Sequence, residues 1–389
     1  MAGRPVAKRI VLVVAVVLLG WELYLVSDPL HGRPDDYVAF WASARVLQAG
    51  GDPYDPAALL AVQRTVHWTE PHAYRVWEPP WTFALCMPFA LLPYRLGRTL
   101  WFVIHLLAIV AAADGAWRIY GGDPARRGLA WVVAFLFMPT VLVWRTGQLT
   151  GLVLLGLVWF LVCQRRRHDV AAGAALALAG MKPHIVHLVW PALLVWCATT
   201  RRWRILAGGF LVGAAATLFA LSYRASLLSD FVAMTLHDPP RQGASTLGTV
   251  LRLVSHELVG EDAYGLVFVP PLAGLVWATR RAMRGRAAWS WPDELPRLAL
   301  VSLATAPFAW IYDEVTAVLP LVNLVALWSV GNASIPWIAV AGLAVFDVVV
   351  LAMNVSRVDP FWYVWTPFAL LALYASVLRR AAAWGRTTG

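Results

Sequence analysis

Apolar residues run through this chain in long blocks. They fill roughly 10–26, 97–117, 128–144, 147–164, 169–181, 184–198, 203–222, 263–280, 295–311, 314–330, 335–353 and 361–378, with short polar connections between most of them. Blocks of this length predict membrane-spanning helices. A further block at 79–92 is short and broken by Pro88, with Pro93 just behind it. Counted as a span, it places basic connectors on both sides of the membrane. Left out, it leaves twelve spans with both termini on one side. The expected fold class is an all-α polytopic membrane protein, a transmembrane helical bundle of about 12 spans. Residues 79–92 then form a helix lying at, or dipping into, one leaflet.

Charge orients this arrangement. The connectors on one side carry Arg118, Arg126 and Arg127, then Arg165, Arg166 and Arg167, then Arg201, Arg202 and Arg204, then Arg280, Arg281, Arg284 and Arg286. With Arg297 and the basic residues of the two ends, that side holds 20 of the 32 Lys and Arg, while 15 of the 22 acids fall on the other. Basic loops stay cytoplasmic, so both termini are expected inside. The two long connections, 27–96 and 223–262, are expected outside. Arg4, Lys8 and Arg9 precede the first apolar run, and Trp21, Glu22 and Tyr24 stand where a small-residue cleavage site would be. This predicts an uncleaved signal anchor in an inner-membrane protein.

Composition agrees: 60% of the residues are hydrophobic and 14% charged, against about 25% charged in a soluble domain. A net charge of +10 would suit nucleic acid, but its confinement to connectors points to membrane topology instead. Cys86, Cys163 and Cys197 all lie in apolar stretches, an odd number with no C-x-x-C pair, so neither disulfides nor zinc follow. Within 27–96, Tyr37–Gln48 has amphipathic helical spacing. Asp52-Pro53-Tyr54-Asp55-Pro56 is turn chemistry leading into a second short helix.

No Walker loop or dinucleotide fingerprint is present, and His256-Glu257 lacks the second histidine of a zincin, with Gly260 in its place. What remains is a set of polar residues at the outer ends of spans: Asp35, Asp36, Glu78, Arg145, Gln148, Lys182, His184, His237, Tyr312 and Asp313. Each has a bland alternative. An Asp here can cap the helix that follows, and Arg145 can snorkel to headgroups. His184 and His187 share a helix face, but no carboxylate at matching spacing completes a metal site. Lys182 is harder to dismiss, because a lysine inside apolar sequence is costly and usually functional. Together these groups describe a cleft with a carboxylate base and cations at the membrane boundary. There a base can deprotonate a hydroxyl while cations stabilise a lipid-phosphate leaving group.

Asp36-Tyr37 followed by Ala42, Arg45, Gly50 and Asp52-Pro53-Tyr54 resembles the opening motif of the glycosyltransferase 87 family. The likeness continues through Pro79-Pro80, Pro88, Leu91-Leu92-Pro93, Gly147-Gln148, Ala172-Gly173, Lys182-Pro183, Pro307, Trp310, Tyr312-Asp313 and Pro320. The family comprises polytopic GT-C enzymes, among them actinobacterial polyprenyl-phosphate-mannose-dependent mannosyltransferases. The resemblance implies a single GT-C-like transmembrane domain over 1–389, with Asp36 as catalytic base. It implies a polyprenyl-phosphate sugar as donor and a glycolipid or envelope glycan as acceptor, with inversion at the anomeric carbon. Lys182, Arg145 and Gln148 are then candidates for the donor phosphate. Asp35, Tyr54, Glu78, His184, His237, Tyr312 and Asp313 are candidates for substrate contact. No cofactor is implied, and a divalent metal stays open. The mycobacterial enzymes carry a histidine pair where this chain has Tyr312-Asp313. A lipid or solute transporter would use the same intramembrane Lys and Arg for binding, and a non-catalytic membrane subunit or a polymerase-like enzyme of envelope assembly is a second alternative. Against a transporter, the polar groups collect at one face instead of tracing a path across the bilayer.

Overall fold

The computed structural model describes residues 36–237, 244–260, 262–285, 288–330 and 337–387, and these are helical throughout with no strand among them. The expected first span at 10–26, and Asp35, lie outside the described residues. In chain order the helices are α1 (Tyr37–Gln48), α2 (Pro56–Arg64), α3 (Phe83–Ala90), α4 (Tyr94–Ile119), α5 (Gly128–Leu136) and α6 (Met138–Thr146). There follow α7 (Thr150–Arg165), α8 (Asp169–Ala179), α9 (Val189–Thr200), α10 (Trp203–Leu221), α11 (Leu227–His237) and α12 (Leu247–Val259). The last are α13 (Val269–Gly285), α14 (Trp291–Thr305), α15 (Val318–Val330), α16 (Trp337–Val355) and α17 (Thr366–Thr387). They fall into two compact units. One lies within 1–106, 144–148 and 216–237; the other within 107–143, 149–215 and 238–389.

In the first unit local chemistry sets the helix ends. After α1, Gly50 takes a left-handed φ of +76°, and Gly51 N–H donates to Val46 O at 2.9 Å, which closes the helix as a glycine C-cap does. The Asp52 carboxylate then accepts from Tyr54 N–H at 2.9 Å. Asp55 caps α2 by accepting from Ala57 N–H at 3.0 Å, with Pro56 at the first helical position. The amphipathic spacing expected of α1 gives way to burial on nearly every side, from Tyr37 through Leu47 with Arg45 as the exposed exception. Its own side chains explain why. Trp41 and Arg45 both donate to Leu92 O at 3.3 Å, and Gln48 donates to Met87 O at 2.9 Å. They satisfy a carbonyl in the last turn of α3 and one in the segment after it, both without helical partners. At about 1.5 Å per residue, α3 is roughly 12 Å long, too short to cross a bilayer.

In the second unit the block expected as one span over 128–144 is broken. Helices α5 and α6 meet at a 59° bend, where Phe137 is extended. Asp347, an acid within an apolar run, accepts from the freed Met138 N–H at 2.8 Å. Asp114 is likewise paired, with Arg118 at 2.9 Å and with Arg127. Helices α8 and α10 approach closely through glycines: a Cβ on Gly173 would collide with Ile205 O, and one on Gly208 with Val170 O. The stretch 223–262, expected as a long loop, contains α11 and α12. Among the described residues four helices are long and apolar enough to cross a membrane: Tyr94–Ile119, Trp203–Leu221, Ile311–Val330 and Pro360–Arg379, or five spans if the bent pair counts as one. The other apolar helices are shorter. Helix α8, with 11 residues, is about 16 Å long, short of the roughly 30 Å hydrocarbon core. Helix length by itself thus identifies four or five of the expected twelve spans among the described residues.

Candidate active site

Among the described residues each unit holds a cluster of buried polar groups. In the first, Asp36 sits at the N-cap of α1 with helical backbone angles, 7% exposed, and its side chain makes no capping bond. By position Asp36 is the cap, while its carboxylate faces elsewhere. It accepts from Gln148 Nε2, a partner 112 residues away. Gln148 is 4% exposed, and its amide oxygen has no partner among the described residues.

The turn carrying Gln148 is held from three sides. Gly147 has φ +73°, and a Cβ there would meet Tyr37 Cβ at 2.7 Å and the Arg98 guanidinium at 3.2 Å. Trp101 Nε1 donates to Gly147 O at 2.7 Å. Arg98, 1% exposed, donates to Trp144 O at 2.6 Å and Arg145 O at 3.3 Å, and lies 5.9 Å from the Tyr37 ring centroid. Sequence reasoning passed over Arg98, although a charge at the start of an apolar block was the available signal.

Other candidates in this unit are engaged with protein. Tyr54 is 3% exposed, donates its hydroxyl to Glu78 O at 3.0 Å, and packs on Phe83 and Phe231. The Glu78 carboxylate accepts from Trp77 N–H at 3.1 Å. Arg145 is exposed. His237 is exposed at the end of α11, its Nδ1 2.8 Å from Ala233 O. Asp52 is half-buried near Asp230 and Asp55; burial, reinforced by those carboxylates, raises its pKa against the Tyr54 N–H and Arg224.

In the second unit Lys182 is 3% exposed and Asp313 is fully buried, paired at 2.9 Å. The anion needed to offset burial of that ammonium is therefore supplied by the chain itself. Asp313 Oδ1 also accepts from Thr150 Oγ1 at 2.9 Å, and Oδ2 from Trp310 N–H at 3.0 Å. The ammonium lies 5.0 Å from the Tyr312 ring centroid, and Tyr312 stacks on Trp310. Next door, Glu314 accepts from Thr366 Oγ1. His184 is edge-on to Phe308 and its Nε2 has no partner among the described residues. His187 turns Nδ1 to His184 O at 2.9 Å, and its Nε2 lies 3.4 Å from Thr305 Oγ1. Among the described residues no three His, Cys, Asp or Glu side chains are grouped to hold a metal.

A helical membrane protein with clusters of buried carboxylate, amide and cation has the groups that a membrane enzyme working at an apolar boundary needs. The sequence model of glycosyltransferase family 87 matches residues 78–312. That is more than half of the 389 residues, and the chain belongs to this family; it is a glycosyltransferase. The matched stretch contains Gln148 and Lys182 and ends at Tyr312, so Asp36 and Asp313 lie beyond it. Among solved structures, the chain is similar to the crystal structure of ArnT from Cupriavidus metallidurans bound to undecaprenyl phosphate. The two are 20% identical with a TM-score of 0.43, over 97% of this chain and 76% of that one. No curated protein matches the sequence at a significant level.

Proposed function

We propose that this enzyme transfers a sugar, mannose, from a polyprenyl-phosphate donor to a lipid-linked or cell-envelope acceptor on the extracytoplasmic face of the inner membrane. The reading includes one GT-C-like domain of about twelve spans, with residues 27–96 and 223–262 outside and both termini inside. The observation that carries it is the Asp36 carboxylate: buried, at a helix start yet making no capping bond, and oriented by Gln148. The acceptor hydroxyl attacks the anomeric carbon, and its proton passes to the Asp36 carboxylate. The bond from that carbon to the phosphate oxygen breaks, and polyprenyl phosphate leaves with the bonding pair. Attack opposite the leaving group inverts the anomeric centre. A base is useful because a sugar hydroxyl becomes acidic only as the new bond forms.

Lys182 and Arg145 are the proposed contacts to the donor phosphate, supported by the Lys182 ammonium having donors beyond the one given to Asp313. Asp313 and Tyr312 hold that ammonium in place. Tyr54 and Glu78 support the first loop, and His184, Asp35 and His237 remain proposed substrate contacts. The test is transfer of radiolabelled mannose from polyprenyl phosphate by purified protein. Failure with mannose but transfer with another polyprenyl-phosphate hexose would change the sugar. Failure with every polyprenyl-phosphate donor, when a nucleotide sugar serves instead, would overturn the donor class.

A further inference from the structure

Helices α13 and α14 run antiparallel, with Gly274 against Thr305 and Arg281 against Glu294. At the Arg281 end they enclose a cleft of about 600 Å³. One wall is a single stripe of α13. It begins apolar, with Ala273, Val276 and Trp277, and becomes cationic one turn later, with Arg280, Arg281 and Arg284. The indole of Trp289 closes the other side, and its N–H has no partner among the described residues.

The cleft is cationic after its internal pairing is counted. Glu294 accepts from Arg281 and from Arg297 at 3.0 Å, so one carboxylate serves two guanidiniums. Arg280 and Arg284 are exposed, one helical turn apart, and have no ion pair among the described residues. Exposed Asp293 and the C-terminal carbonyls of α13 oppose an anion, yet four guanidiniums against two carboxylates leave the net sign positive. Two neighbouring cations one helical turn apart attract a phosphate by charge, as basic residues near an anionic headgroup do. The apolar residues below them, next to exposed Leu272 and Leu275, match a hydrocarbon chain.

We infer that this cleft binds the phosphodiester headgroup of an anionic membrane glycerophospholipid, with its acyl chain along Ala273, Val276 and Trp277. The site is separate from the chemistry. It lies at the start of α14, whose 15 residues extend about 22 Å toward the segment bearing Asp313. A basic pocket between helices at a membrane surface is a recognised place for such headgroups.

The full-length protein in nanodiscs would be titrated with phosphatidylglycerol in a phosphatidylcholine background, with bound lipid counted by native mass spectrometry and unfolding followed by heat. Saturable phosphatidylglycerol binding is expected, weakened roughly 30-fold in R280Q/R284Q if each guanidinium contributes as surface arginines do. R280K/R284K keeps charge and stem and is expected to retain most of the binding. Melting of both variants in phosphatidylcholine alone reports on folding independently. Unaltered affinity in R280Q/R284Q overturns the site, as does equal loss in the lysine variant, which would mean packing and not charge. Inorganic phosphate reproducing the whole stabilisation would overturn the lipid assignment. None of these readouts depends on sugar transfer, so the proposed activity stands or falls separately.

Discussion

Asp36 and Lys182 are both buried ionisable groups, and their surroundings give them different expected behaviour. The Asp36 carboxylate is oriented by an amide, Gln148, so Asp36→Asn keeps size and most hydrogen bonding but removes the proton acceptor. Turnover is expected to fall about 10²–10⁴-fold while donor binding survives; near-native turnover would move the base elsewhere. Lys182 is locked to Asp313, so Lys182→Met leaves a buried carboxylate without its cation and is expected to cost about 3–5 kcal/mol of stability. Lys182→Met with Asp313→Asn removes the charge yet keeps an acceptor for Thr150 Oγ1 and Trp310 N–H, and should recover much of that, read by thermal unfolding in one detergent; a double variant as unstable as the single one would show that the unpaired charge is not the source. Asp52 gives a pH test. Burial holds its carboxyl above the ordinary 3.8, so the folded state binds this proton more tightly than the unfolded chain. Its contribution to stability therefore declines as pH rises from 3.8 through the folded value. Asp52→Asn keeps the acceptor for Tyr54 N–H and should melt above the parent at pH 7, with the gap closing toward pH 4.

At the scale of elements, glycines set how closely segments approach. Gly147 combines a left-handed φ with Tyr37 and Arg98 at its Cβ position. Gly147→Ala meets both the backbone cost, about 1–2 kcal/mol, and the collision, so the turn must shift and take Gln148 with it. Activity should drop by at least as much as in Gln148→Ala, measured on the same donor; an active Gly147→Ala protein would mean that the turn is not positioning anything critical. Gly173 and Gly208 allow α8 and α10 into backbone contact, as small residues do between membrane helices. The motif residues of the first loop act in the same way: Arg45, Gly50, Asp52 and Tyr54 hold α1, α2 and α3 to one another through carbonyls and turns.

For the whole molecule, the placement of Arg and Lys predicts the topology, and the short α3 predicts that the chain re-emerges on the side it left. In a background without Cys86, Cys163 and Cys197, single cysteines at exposed His67, Arg95 and His168 would be treated with an impermeant reagent. Labelling at 67 and 95 with protection at 168 is expected. Labelling at 67 with protection at 95 would mean that 79–92 crosses, and the span count would change by one.

The helices were legible in the chain because burial in an apolar medium writes itself as block length, and turns such as Asp52–Pro56 because capping acts between residues two or three apart. Tyr37–Gln48 was foreseen as a helix on these grounds, and its near-complete burial was not, since that depends on carbonyls of Met87 and Leu92 some forty residues on. The bend at Phe137 escaped for a similar reason: Asp347, 209 residues away, satisfies the broken helix. Lys182 stood out as costly in apolar sequence, yet only the fold decided that Asp313, 131 residues on, would meet it. Thr150 gave little local signal at all, and Arg98 only its charge at the start of an apolar block. Spacing reports what neighbours along a helix can share, whereas partners more than a hundred residues apart are chosen by packing, and that is where the polar clusters of this enzyme were made.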